Sequence, residues 1–234
     1  RSVEVSITKP TNASMITKLK LHRRLLCAGL VGLVGLSTAT GAVYVDVSPG
    51  TEAPPGTLGG YVMGAFPADP SPEYATTVSL TPPPTFAGSG NLGFDAALDH
   101  YLAGSGWDTW SHGYAGDVYY NTDNNLLITL PTGTMAFYLY VEPNIRSVFE
   151  FKVDSMATVA TLDIDGNAGA SYVGFFSDDP MYPLQFIYVD QTTMDSDGFA
   201  VGEFGINVVP EPAACGLLCA LGLVGFVSWR RQRT

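Results

Sequence analysis

From Thr76 onward the chain is a succession of short apolar or alternating runs: TTVSL, DVYYN, LLITLP, MAFYLYVE, SVFEFKV, TVATLDI, SYVGFF, LQFIYVD and FAVGEFGI. Gly, Asn, Asp and Pro stand between them at a spacing of about 8 to 14 residues, which leaves no room for a helix between successive strands. Neighbouring runs must therefore pair antiparallel, and side chains alternating with period two give each strand one buried and one wet face. This predicts an all-β fold over residues 76–207, an antiparallel two-sheet β-sandwich of jelly-roll-like topology. The one stretch with a helical pattern is DAALDHYLA, residues 95–103. Composition points the same way, since 26 Gly, 16 Pro, 12 Tyr and 12 Phe with 14% charged residues suit tight turns and short strands better than a helical bundle.

Two apolar segments flank this body. Residues 15–42 read MITKLKLHRRLLCAGLVGLVGLSTATGA, with Lys18, Lys20, Arg23 and Arg24 ahead of an apolar core from Leu25 to Leu36. That is the plan of a secretory signal, with cleavage expected between Ala42 and Val43 after the small residues Thr40 and Gly41. The apolar run is too short for a permanent span of about 30 Å. Residues 1–14 read as an upstream extension ahead of Met15. At the other end, residues 213–229 carry no charge, finish on Trp229 and are followed by the basic tail Arg230, Arg231 and Arg233, which the positive-inside rule keeps in the cytoplasm. The expectation is a short transmembrane helix with the body outside.

Just before that helix stand Val209, Pro210, Glu211 and Pro212. Pro210 keeps the chain extended and Pro212 fits a first helical turn, so Glu211 sits where a protease can reach its backbone. The sequence of tripeptide, apolar span and basic tail, following a signal peptide, resembles the PEP-CTERM sorting domain. The resemblance implies recognition and removal of the segment 208–234 by an exosortase after Sec-dependent export. It further implies transient inner-membrane insertion, then delivery to the cell surface or extracellular polysaccharide matrix of a Gram-negative bacterium. TWSHGYAGDVYYN, LPTGTMAFYLYVEPN, SYVGFFSDDP and GFAVGEFGI also resemble the bodies of PEP-CTERM passengers, which implies a compact extracellular β-domain and transfers no catalytic residue.

Charge excludes one class of partner. Of 22 acidic residues only Glu4 and Glu211 lie outside residues 43–209, and of 11 basic residues only Arg146 and Lys152 lie inside, leaving the body at −18. Such a surface repels phosphate, so nucleic acid is not a partner. Cys27, Cys215 and Cys219 all lie in the apolar ends, so the body has no thiol for a disulfide or a metal. Cys27 starts its apolar run and reads as a small apolar residue, not as a lipid-attachment site.

Residues 43–75, rich in Pro and Gly, are expected to be a loosely ordered arm with at most a strand or two pinned to the body. His100 and His112 read as surface-loop histidines. Ser105, Asp108 and Ser111 lie near them, but no nucleophile elbow accompanies them and no Ser-His-Asp triad is expected. No cofactor is expected, and calcium is the one ion that oxygen-rich loops suit. Asp163, Asp165 and Asn167 alternate as its ligands can, with Asp178, Asp179, Asp195 and Asp197 as further acids, against the reading that these are solvated turn residues. An EF-hand is excluded, because Ala168 and Gly174 occupy the positions that need Gly and Glu. Trp107, Trp110 and Tyr114, with Tyr119 and Tyr120, either stack on sugar rings or fill a core. The leading functional expectation is a non-enzymatic passenger of the cell surface or biofilm matrix. A secreted glycan hydrolase and a permanently tail-anchored periplasmic protein are the alternatives.

Overall fold

The computed structural model describes residues 41–86, 89–193 and 198–209. Most of the signal segment, Pro210 to Pro212, the 213–229 span, the arginine tail, Asp195 and Asp197 lie outside them. Among the described residues no helix is long and apolar enough to cross a membrane.

The body is all-β. Its strands in chain order are β1 (Val43–Asp46), β2 (Thr57–Leu58), β3 (Tyr61–Val62), β4 (Gly64–Ala65), β5 (Thr76–Leu80), β6 (Leu92–Leu102), β7 (Asp117–Asn121), β8 (Asn125–Pro143), β9 (Ser147–Val153), β10 (Thr158–Ile164), β11 (Ser171–Ser177), β12 (Leu184–Gln191) and β13 (Phe199–Val208). All pairings between named strands are antiparallel. Two well-separated sheets are not what the ladders give. Among the described residues eleven strands form one connected sheet, ordered β10-β9-β12-β8-β13-β7-β6-β5 with β1, β11 and β4 attached, and only the β2-β3 hairpin stands apart. The path closes on itself, since β8 bonds β13, β13 bonds β7, β7 bonds β6 and β6 bonds β8.

The 19-residue β8 makes this closure possible. Its first half pairs with β12 through Asn125 to Thr129, and its second half pairs with β11 and β13 from Thr134 onward. Between them Pro131 removes a donor, Thr134 Oγ1 donates to the Pro131 carbonyl at 2.6 Å, and Gly133 takes φ +80°. A Cβ on Gly133 would lie 2.5 Å from the Val209 carbonyl oxygen, so only glycine lets the end of β13 dock there.

Beyond the bend every residue from Gly133 to Pro143 is buried. Phe137, Leu139 and Val141 face the main core, while Ala136, Tyr138 and Tyr140 enter a second cluster on the opposite face with Leu58, Ala170 and Tyr172. Burial on both faces explains why MAFYLYVE reads as an apolar run without alternation. Across the main core Phe151 meets Phe175 at 5.9 Å and Phe149 meets Phe199 at 5.3 Å, although β9 bonds neither β11 nor β13.

Two expectations are corrected. The 95–103 stretch is not helical: it is most of β6, with Leu92, Phe94, Leu98 and His100 buried at alternate positions. Alanine and leucine favour a helix intrinsically, but pairing with β5, β7 and β8 decides the local structure. The arm is likewise ordered against the body. β1 pairs β11 from Val43 opposite Ser177, β4 pairs β13, and Leu58 is 1% exposed under the aromatic cluster. Tyr61 donates to the Ser177 carbonyl at 3.0 Å and Asn207 Nδ2 to the Val62 carbonyl at 2.9 Å. Proline and glycine keep these strands short, while Leu58, Tyr61, Met63 and Phe66 supply the apolar anchors.

Candidate functional site

Glu142 ends the most apolar strand of the chain and is 1% exposed. Its period-two neighbours Tyr138 and Tyr140 place its side chain on the outer face of β8, toward the loop that follows β6. That loop folds back tightly: Gly104 takes φ +78° and its N–H donates to the Trp107 carbonyl at 2.7 Å. Trp107 Nε1 then donates to Glu142 Oε1 at 3.1 Å, and the Thr109 hydroxyl donates to the same oxygen. Oε2 is buried without a hydrogen-bond partner. Burial pushes the Glu142 carboxyl up to about 7, with the Thr109 hydroxyl, the Trp107 indole and the Ala170 amide pulling the other way.

A third wall comes from the one-turn 3₁₀ helix Gly166–Ala168, capped by the Asp165 carboxylate, which accepts the Asn167 N–H at 3.1 Å. A Cβ on Gly166 would fall 1.8 Å from the Pro143 carbonyl oxygen, so glycine alone permits this close approach to the end of β8. Together the loop, the strand end and the turn enclose an open pocket of about 370 Å³ bearing Trp107, Asp108, Thr109, Glu142, Asn144 and Asn167.

A second glutamate holds the other half of the loop. Glu203 lies in a bulge of β13, between Gly202 and Gly205, at φ +51°. Its Oε2 accepts from Trp110 Nε1 at 3.2 Å and faces His112 Nε2 at 3.0 Å. Burial raises the carboxyl of Glu203, and the adjacent His112 and the Trp110 indole partly oppose that rise. His112 is itself at φ +43°, so both members of this pair have left-handed backbone.

The residues singled out from sequence fall into different places. Trp107 packs on Tyr120 at 5.5 Å and lines the pocket, whereas Trp110 packs on Tyr114 at 6.1 Å beside Glu203 and does not line it. Tyr119 belongs to the main core. His100 is no loop residue: it is 2% exposed on β6, with Nε2 2.7 Å from Asp117 Oδ1 and Nδ1 3.3 Å from the Pro72 carbonyl. The Ser111 hydroxyl donates to the Ala170 carbonyl, so the triad candidates are not assembled.

The calcium candidates are also dispersed. Asp163 is held in a two-pronged contact by Arg146, at 2.9 and 2.6 Å, which lowers its carboxyl. Asp165 serves as the turn cap, and Asn167 lines the pocket. Asp178 accepts from the Ala42 N–H at 3.2 Å and the Tyr44 hydroxyl at 3.0 Å. Among the described residues no group of three or more His, Cys, Asp or Glu is gathered for a metal ion.

Glu142, Thr109 and Asn144 were not singled out in the sequence, yet one signal was present. MAFYLYVEP sets an acid in phase with two tyrosines at the end of an uninterrupted apolar run, and an acid there is buried with partners or serves a site. No protein-family model matches the chain, and no curated protein matches it.

Proposed function

We propose that this chain is an exported surface or extracellular-matrix protein, whose β-domain is a non-enzymatic passenger between a cleaved signal segment and a sorting segment removed by an exosortase. The observation that supports the reading is the position of the all-β body in the sequence, between the signal-like segment and the Pro-Glu-Pro segment. β1 begins at Val43, immediately after the expected signal cut, and Val209, next to Pro210-Glu211-Pro212 in the sequence, donates its N–H to the Gly133 carbonyl at 3.0 Å. The Sec translocon and the exosortase are the partners in export, insertion in the inner membrane is transient, and the finer reading of the folded sheet is a jelly-roll-like sandwich. The −18 charge of the body supports a partner other than nucleic acid, with extracellular polysaccharide as the leading class.

Intact-mass measurement of the form released from native cells tests this. The expected mass lacks residues 1–42 and the apolar span with its arginine tail. Released material that keeps residues 213–229 refutes sorting, and the same mass found only in membranes makes the protein a permanent tail anchor.

One observation favours a second reading, a secreted glycan hydrolase. Glu142 is held near neutrality in an open pocket that also carries Asp108, and a carboxyl so held is suited to act as a general acid. Incubation with extracellular polysaccharide followed by size separation of the products decides between the two readings.

A further inference from the structure

The edges of the connected sheet differ in how they are guarded. An edge strand presents unpaired backbone donors and acceptors, which proteins shield with proline, charge, bulges or a covering segment. β5, at one end of the strand order, has a register shift between Thr77 and Ser79, with the Thr77 hydroxyl donating to the Ser79 carbonyl at 2.9 Å. Pro82, Pro83 and Pro84 follow it, and residues 67–71 share a cavity with it. β1 has four residues and ends on Asp46. β10, at the other end of the order, runs seven residues without proline and has β9 as its one strand partner among the described residues. Its register shift lies at its start, beside Val159, and pairing is regular from Ala160 to Ile164. Ala160 and Leu162 pack on the main core yet stay half-buried, which leaves apolar surface uncovered along this edge. We propose that β10 is the interface through which two copies of this chain pair, antiparallel about a two-fold axis at Thr161, so that the sheet continues from one copy into the other.

Charge selects a second copy as the occupant. The body carries −18, so two copies repel each other wherever acids dominate both surfaces. Both cations of the body, Arg146 and Lys152, lie in the β9-β10 hairpin, and residues 146–164 net −1 while the rest of the body holds −17. Asp163, the one charge on β10, is met by the two-pronged contact of Arg146 at 2.9 and 2.6 Å. This edge is therefore where two such bodies approach at the least electrostatic cost. Exposed apolar side chains gather in and beside the same hairpin, with Met156 66%, Ile145 45% and Val159 38% exposed. An antiparallel pair centred on Thr161 sets Ala160 of one copy opposite Leu162 of the other on the core face, and Val159 opposite Asp163 on the outer face. No like charges then stand opposite each other, whereas centring on Asp163 would oppose two carboxylates.

The interface does not depend on the export reading. Its test is sedimentation velocity of the full chain in detergent, from micromolar to submillimolar protein. The expected result is a monomer–dimer equilibrium that strengthens with added salt, because salt screens the repulsion between two bodies of −18 each. Thr161→Lys sets two like charges opposite each other at the axis, and within each copy the new ammonium stands opposite Glu150 on β9, which favours the hairpin. In this variant, checked for native near-ultraviolet circular dichroism, the dissociation constant rises by about fivefold or more. Val78→Lys, on the exposed face of β5, leaves it unchanged. With Cys27, Cys215 and Cys219 replaced by Ser, Thr161→Cys yields a disulfide-linked dimer on mild oxidation, since directly opposed strand residues lie about 4.5–5.5 Å apart, within reach of a disulfide. A chain that stays monomeric, a dimer weakened by salt, equal affinity in folded T161K, loss in V78K instead, or T161C that stays uncrosslinked overturns the β10 interface. Each of these outcomes leaves the export reading intact.

Discussion

Replacing Glu142 by Gln changes one proton-binding group and almost no shape, so it isolates what the buried carboxyl does to the fold. In the folded protein this group binds its proton up to about 7, against an ordinary 4.5. At about 1.4 kcal/mol for each tenfold in proton affinity, the difference amounts to about 3 kcal/mol. Below pH 4.5 the carboxyl is neutral in both folded and unfolded chains, and burial costs little. As pH rises past 4.5 the unfolded chain ionises first, so stability falls, and above about 7 the folded chain carries the full cost of a buried charge. E142Q has no such group, and its amide oxygen still accepts from Trp107 and Thr109. Urea denaturation of both proteins at pH 4 and pH 8 therefore yields a stability difference, wild type minus variant, that drops by about 3 kcal/mol between the two conditions. For a domain of this size that equals roughly 6–12 °C in Tm. Any offset from exchanging an acid for an amide is independent of pH and cancels in the comparison. If the two proteins lose stability in parallel, within about 0.5 kcal/mol, Glu142 is ionised in solution at ordinary carboxylate pH and the burial argument is wrong.

Three other substitutions probe the surrounding structure. Gly166→Ala forces a Cβ into the Pro143 carbonyl oxygen and should cost at least about 1–3 kcal/mol in chemical denaturation, with displacement of the capped turn. Asp117→Ala strips the hydrogen-bond partner from the buried His100 and should cost about 1–3 kcal/mol in chemical denaturation, whereas the exposed pair Arg146–Asp163 should yield under about 1 kcal/mol to Arg146→Ala. His112→Ala removes the group that holds the Glu203 carboxyl down, so that carboxyl rises further. Its destabilisation, about 1–2 kcal/mol, should grow as pH rises from 4, because a carboxyl held higher in the folded chain loses more stability with rising pH.

The strand content was legible because turn residues and apolar runs are local signals. Nine runs picked from the sequence all fall within or across strands β5 and β7 to β13. The missed strand, β6, failed for a reason that is also local: DAALDHYLA carries apolar residues at both helical and alternating spacings, and only its neighbours choose between them. The connected sheet was not legible, since the bend at Pro131 to Gly133 is a turn signal that in most chains would end a strand, whereas here β8 continues through it. The arm was misjudged because proline and glycine content measures lost regularity and says nothing about where Leu58 and Tyr61 find their contacts. Trp107 was singled out for its type, but the acid that holds it is 35 residues away, and no periodicity joins the two.

Glu142 and Glu203 rise from neighbouring central strands and each holds one tryptophan of the same loop, so a purely structural account would treat them as equivalent clamps. They are not equivalent. Glu203 has His112 beside it, and its accepting oxygen meets two donors. Glu142 has no cation beside it, and only the neutral donors Thr109, Trp107 and Ala170 offset its burial. Glutamine at 142 would accept from Trp107 and Thr109 equally well, without the roughly 3 kcal/mol that ionisation costs above neutral pH. A carboxyl at that position is therefore more than the loop requires. The two clamps are thus separated by charge: Glu203 has an imidazole beside it to offset ionisation, and Glu142 has only neutral donors.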